Sequence, residues 1–311
     1  MVTRYLIVGV KRAFGLQPPG KRLSVLPDDI LLASYPKSGN TWIRFLIANL
    51  VYHDREVGFG NLHKLILDPD GTPQRDFIRA QKPRVIKTHG PFDPRFRRVI
   101  CVVRDPRDVA VSQYHYLRKV RRIGDDCPIG RFVDRFLEGD LARRPGSWGE
   151  NVGSWLATRH GRPGFLLLRY EDVLADTAHE LTRVATFGGF PANLERIAQA
   201  VERSSADKMR ENEKKQGERS TLIKGSRQDI AFVRSAKSGG WRNDLPEAEV
   251  ARIEAKWADV MACLGYELVT RSAHSVLDSS LIGMLAGRSG AADKPRAGVF
   301  SASRSERVQA P

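Results

Sequence analysis

The chain has 311 residues, 41% hydrophobic and 28% charged, a globular balance with enough apolar sequence to bury a full core. Its formal charge of +15 favours anionic partners (nucleic acid, lipid headgroups or phosphorylated small molecules) without choosing among them, and the basic residues run from Arg4 to Arg307. Cys101, Cys127 and Cys263 are too few and too scattered for a disulfide framework, and no apolar run approaches the ~20 residues that span a bilayer, so a cytoplasmic protein is expected.

In chain order, residues 1–27 are basic and punctuated by Pro and Gly, and read as a loosely held arm. Its "YLIVGV" is short, runs straight into Lys11 and Arg12, and offers no clear cleavage site. Residues 28–270 form the folded domain. Ile30–Ser34 reads as a buried strand and Thr41–Tyr52 as the helix behind it. A second strand, Val85–Lys87, leads to Thr88 and His89; a third, Val99–Val103, ends at Arg104; a fourth, Phe165–Arg169, ends at Tyr170. Helical segments lie between them at Asp108–Val120 and Ile129–Glu138, and another follows Asp172 and stops on Gly188 and Gly189.

Strands this short and continuously apolar are covered on both faces, which predicts one α/β domain with a central parallel sheet flanked by helices. Ligands of such sheets bind outside the carboxyl ends of the strands, where polar residues collect here. From Lys208 to Gly240 the chain is polar and highly charged and reads as a lid over the site. The small, polar residues 271–311 read as a disordered tail.

Three strand ends carry chemistry. In "SYPKSGNTW", Ser34 to Trp42, an apolar run meets a tight polar turn and then a helix, as in phosphate-binding loops. Lys37 stands before the only glycine, so the usual Gly-x-x-x-x-Gly-Lys-Ser/Thr order is absent. Ser38, Asn40 and Thr41 add short donors, while Trp42 suits either the core or a stacking platform for a base. The same residues would also serve as an ordinary helix cap beside a solvated lysine.

In "RDPRDVAVSQYHY", Arg104 closes a strand and Ser112 lies one helical turn beyond Asp108. A guanidinium and a hydroxyl there suit a second phosphate, or Arg104 pairs with an aspartate to stabilise the turn. In "VIKTHGP", Lys87 lies two residues before His89, so both can face one cleft. A neutral imidazole beside a cation suits a general base.

Together with "LLRYEDV" and "SGGWRN", these segments occur in the order found in PAPS-dependent sulfotransferases of the cytosolic type, and the chain resembles that family over roughly residues 28–265. The resemblance implies a P-loop-like fold that starts strand, phosphate loop, helix. It implies 3′-phosphoadenosine 5′-phosphosulfate (PAPS) as co-substrate, PAP as product, a small-molecule hydroxyl acceptor and no metal. It gives the 5′-phosphate to Lys37, Ser38, Gly39, Asn40 and Thr41, and sets Trp42 against adenine. Arg104 and Ser112 take the 3′-phosphate. Tyr170, with Ser204 and Met209 of "SSADKM", contacts the nucleotide. His89 takes the acceptor's proton, while Lys37 and Lys87 offset charge growing on the bridging oxygen.

Two departures stand out. The family's late motif, Arg-Lys-Gly-x-x-Gly-Asp-Trp-Lys, reads "RSAKSGGWR" here: Arg234 and Gly239 match, Ser235 and Ala236 do not, and Lys237 is a shifted candidate for the missing charge. Ala206 stands where an aromatic residue is common. On the acceptor side, Trp148 and Trp155 share one helical face, as substrate contacts or as core. Arg118, Lys119, Arg121 and Arg122 either attract an anionic acceptor or are solvated. The rival readings are a nucleotide kinase or NTPase on a related loop fold and a basic nucleic-acid binder. A homodimer is left open.

Overall fold

In the computed structural model, residues 19–141, 145–216 and 223–270 are described; most of the basic arm and all of the 271–311 tail lie outside them. Four strands form the frame: β1 (Ile30–Ser34), β2 (Val85–Thr88), β3 (Arg98–Val103) and β4 (Phe165–Arg169). They pair in the order β2-β1-β3-β4, all parallel. The register aligns Ala33 with Thr88, Ser34 with Val102 and Val103 with Arg169, so all four strands finish at one end of the sheet. The chain leaves central β1 for β2 on one side and reaches β3 on the other. A crevice opens at that reversal.

Alternation along the strands divides the core into two layers. Leu31, Ala33, Val99, Cys101 and Val103 face one side, against helices α2 (Pro106–Lys119), α3 (Ile129–Glu138), α4 (Trp148–Arg159) and α8 (Glu247–Cys263). Ile30, Leu32, Ile100 and Val102 face the other, against α1 (Asn40–Val51), α5 (Thr177–Gly188), α6 (Leu194–Arg203) and Met209 of α7 (Ala206–Gln216). Short helices at Leu62–Leu65, Gln74–Arg79, Tyr170–Ala175 and Trp241–Asp244, with a 3-10 turn at Gly20–Arg22, complete the elements of the described residues. Trp148 and Trp155 are fully buried in α4, which settles them as core. The α4 start is closed by a capping box between Ser147 and Glu150.

The strands follow the sequence reading closely; α1 and α2 end within one residue of it, at Val51 and Lys119, and the helices differ from it at those two starts and after Lys208. α1 begins at Asn40 rather than Thr41. α2 begins at Pro106 rather than Asp108, because Asp105 accepts from the Arg107 amide and a proline fits the first helical position. The polar stretch expected to be loop from Lys208 onward opens instead inside α7. That helix is polar around almost its whole circumference and is laced by Asp207–Arg210 and Glu211–Lys215 pairs.

Candidate active site

A cavity of about 420 Å³ lies at the carboxyl ends of the strands, within the range of small-ligand sites. The turn after β1 supplies its floor. Lys37 takes a left-handed φ of 70° and Gly39 a φ of 92°. A Cβ at Gly39 would lie 2.5 Å from the Tyr170 ring, so only glycine lets the loop pack there. α1 starts with no side-chain cap and no acidic residue in its first turn. Its leading amides therefore retain their positive end for an anion. Lys37, Gly39, Asn40, Thr41 and Trp42 all line the cavity.

The Lys37 ammonium packs on the Tyr116 and Phe232 rings, 4.4 and 4.5 Å from their centroids. Burial first, and then the nearby Arg104 charge, pulls its pKa down to about 7. Arg104 is laid over the Tyr170 ring at 4.2 Å, with Asp108 3.7 Å away. Its Nη1 donates to the Lys37 carbonyl and its Nη2 to the Lys237 carbonyl, at 3.4 and 3.0 Å. Buried Nε has no partner among the described residues. Ser112, Tyr170, Met209 and Arg234 join the wall, and Arg234 also pairs with Asp244 at 3.2 Å.

His89 and Lys87 enter from β2. Nδ1 of His89 lies 2.9 Å from the Ser34 carbonyl and 3.3 Å from Ser34 Oγ. A carbonyl can only accept, so that bond places the ring proton on Nδ1 and leaves Nε2 with a free lone pair. Ser34 Oγ accepts in turn from Asn40 Nδ2 at 3.1 Å, joining the ring to the phosphate-type loop. Burial, then the Lys87 charge, holds the imidazole down to about 3, so it is neutral at physiological pH.

Lys87, to which the resemblance gives charge growing on the bridging oxygen, also has an internal partner. Its Nζ is 2.7 Å from Asp68. A bridge between Leu67 and Ile86 extends the β2 edge and delivers that carboxylate.

Three further residues expected at the site do not line the cavity. Ser38 is fully buried beneath the loop, its hydroxyl without a partner among the described residues. Ser204 is buried behind Trp42: its Oγ accepts from Asn49 and its carbonyl from the Trp42 indole, so it positions that ring. Gly239 is spent on structure, its N–H donating to Asp108 Oδ2 at 2.7 Å with a φ of 76°. Lys237 meets Arg104 through its carbonyl.

The sequence reading missed Tyr116, Phe232 and Val233 on the wall. Tyr116 was accessible to it, four residues beyond Ser112 on one helix face. Among the described residues, the wall carries Lys37, Lys87, Arg104 and Arg234 and no carboxylate. Such a surface binds a polyanion and, with a neutral imidazole at its edge, can accept a proton.

Comparison with known proteins agrees with this arrangement. Residues 27–265 match the sulfotransferase domain family. Sulfotransferase 1A1 of Bos taurus is 28% identical over 261 residues, covering 78% of this chain and 87% of that protein. Sulfotransferase 1C2 of Oryctolagus cuniculus is 30% identical over 248 residues, covering 73% and 81%. The crystal structure of mouse sulfotransferase SULT7A1 complexed with PAP superposes with a TM-score of 0.63 at 23% identity, over 90% of this chain and 95% of that one, which shows a shared fold. These matches set aside the kinase and nucleic-acid readings: the chain belongs to the sulfotransferase domain family and is a sulfotransferase enzyme.

Proposed function

We propose that this sulfotransferase uses PAPS as donor, transfers its sulfuryl group to the hydroxyl of a small molecule with His89 as general base, and works in the cytoplasm. The observation that carries the donor assignment is the wall with four basic side chains and no carboxylate among the described residues, set against an uncapped helix start. A 5′-phosphosulfate meets the α1 amides, Lys37 and Thr41, and a 3′-phosphate meets Arg104 and Ser112. Trp42 and Tyr170, edge to face at 5.6 Å, flank the adenine side. The mouse SULT7A1 structure was determined with PAP, the desulfated form of this donor. The donor supplies an activated sulfuryl group.

His89 Nε2 takes the acceptor proton, a role worth on the order of 10²–10⁴ in rate. Lys37 stabilises the charge left on the departing phosphate. Lys87 holds Asp68 and biases His89 toward the neutral, proton-accepting form. Residues 208–240, of which 217–222 lie outside the described residues, serve as the cover: Phe232, Val233 and Arg234 line the cavity and the Phe232 ring lies against Lys37, which supports that reading.

The test is sulfate transfer from PAPS to a panel of hydroxyl acceptors without added metal, with His89→Ala and Arg104→Ala alongside. His89→Ala should lose turnover and keep PAP affinity. Arg104→Ala should weaken PAP far more than AMP. Full turnover without His89 would remove the base, and equal losses of PAP and AMP would remove the 3′-phosphate assignment.

A further inference from the structure

The wall segment Phe232–Arg234 belongs to no strand or helix, yet its backbone is held almost as completely as a strand in a sheet. Glu213 of α7 accepts from the Phe232 amide at 2.7 Å through Oε1 and from the Val233 amide at 3.1 Å through Oε2. One turn earlier on the same helix, Arg210 donates to the Val233 and Arg234 carbonyls at 3.2 and 3.1 Å. One helix thus binds both the donors and the acceptors of this short stretch.

Lys119, at the last turn of α2, locks the arrangement from the other side. Its side chain is 2% exposed. The ammonium donates to the carbonyls of Arg227 and Ile230 at 2.8 and 2.6 Å and forms an ion pair with Glu213 Oε1 at 3.2 Å. The Arg227 amide returns a bond to the Lys119 carbonyl at 3.0 Å. The two carbonyl bonds and the amide bonds to Glu213 offset the cost of burying this ion pair and hold it in one geometry. That geometry sets the Phe232 ring over Lys37, between Phe59 and Tyr116.

We infer that Lys119, Glu213 and Arg210 are positioning residues that hold the Phe232–Arg234 cover over Lys37. The inference rests on the donor reading above and adds to it the residues that place the cover. If the clasp is loosened, only a fraction of molecules has the cover in place, and apparent donor affinity falls by the inverse of that fraction. Turnover at saturation samples the closed form alone and is largely preserved.

Glu213→Gln is the test, measured by PAP calorimetry, PAPS kinetics and amide exchange at Phe232 and Val233. The dissociation constant for PAP and the KM for PAPS should rise roughly tenfold or more, with kcat within about threefold. Exchange at the two amides should quicken. In a double-mutant cycle with Phe232→Leu, the affinity losses should fall well short of additive, because both act on one contact.

An unchanged PAP affinity, a loss confined to kcat, or full additivity would overturn the inference while leaving the donor reading intact. A wild-type protein that does not bind PAP would overturn both. Should Glu213→Gln not fold, Arg210→Met cuts the carbonyl half of the clasp and carries the same expectations.

Discussion

Two strand-to-helix junctions lie side by side at the same end of the sheet, and they are finished in opposite ways. After β3, Asp105 caps α2, Pro106 occupies its first position, and Arg107 is bound to both Asp105 and Glu254 with its guanidinium 3.9 Å from the Trp241 ring. The Asp105 amide is taken by Glu171 at 3.0 Å. The Asp105 amide and the Arg107 side chain thus have internal acceptors, while Arg104 beside them lines the cavity with its Nε unpartnered among the described residues. After β1, the loop has no cap, no acidic residue in the first helical turn, a left-handed lysine against two aromatic rings, and a buried serine hydroxyl without a partner. The helix start of the first junction is closed by the protein. That of the second is left for an anion to complete, so one topology closes a helix for stability in one place and opens it for binding in the other.

The sharpest way to break this contrast is to exchange the consequences of mutation. Arg107→Met strands Asp105 and Glu254 as buried charges, and removing one partner from such a group costs about 3–5 kcal/mol of stability. Denaturant unfolding should show that loss, while the turnover of folded protein at low temperature changes little. Glu254 also accepts from the Val269 and Thr270 amides, so the damage should reach the C-terminal end of the described chain.

Lys37→Met should do the reverse. Turnover falls on the order of 10²–10³-fold, as for the loss of one fixed transition-state donor. Stability is kept or gained, because a lysine whose folded pKa lies below its unfolded value costs stability at neutral pH. A melting temperature that drops with Lys37→Met would contradict the division of labour between the two junctions.

The open junction should also respond to pH where the closed one does not. Lys37, at about 7 in the free protein, is driven toward its ammonium form by a bound anion. The bound pKa is the higher of the two, so the extra affinity is complete below about 7 and is lost as pH rises toward the bound value. PAP binding should weaken between pH 7 and 9 by no more than about tenfold per unit. Calorimetry in buffers of different ionisation enthalpy should detect proton uptake near neutrality, and Lys37→Met should flatten both effects.

Much of this was legible because apolar strands stop abruptly at polar residues: Ser34, His89, Arg104 and Tyr170 mark the sheet end by pattern alone. What the sequence concealed depends on contacts between distant segments. Asp68 meets Lys87 only through an edge bridge that pairs Leu67 with Ile86. The Nδ1 bond that frees His89 Nε2 needs β1 and β2 adjacent. α7 carries no apolar period, since its stability comes from surface ion pairs and from gripping the cover, so a charged stretch looked like loop. Ser204 and Gly239 sit where a motif would place ligand contacts, yet the structure uses them to hold Trp42 and Asp108.

The smallest expected effect tests the edge of the open junction, at the departure from the family's late motif. Ala236 lines the cavity with a φ of 52°, a left-handed conformation that costs an L-residue roughly 1–2 kcal/mol. Ala236→Gly removes that strain, while the greater freedom of glycine in the unfolded chain returns about 0.4–1 kcal/mol. The net gain should be about 1 kcal/mol or less, seen as a rise of about 2–4 °C in the melting temperature at most. If the alanine is only a tolerated misfit on the cover, PAP affinity should move less than about threefold, roughly 0.6 kcal/mol. A larger loss would mean that the methyl group itself packs on the donor, which would make position 236 part of the binding surface rather than a strained bystander.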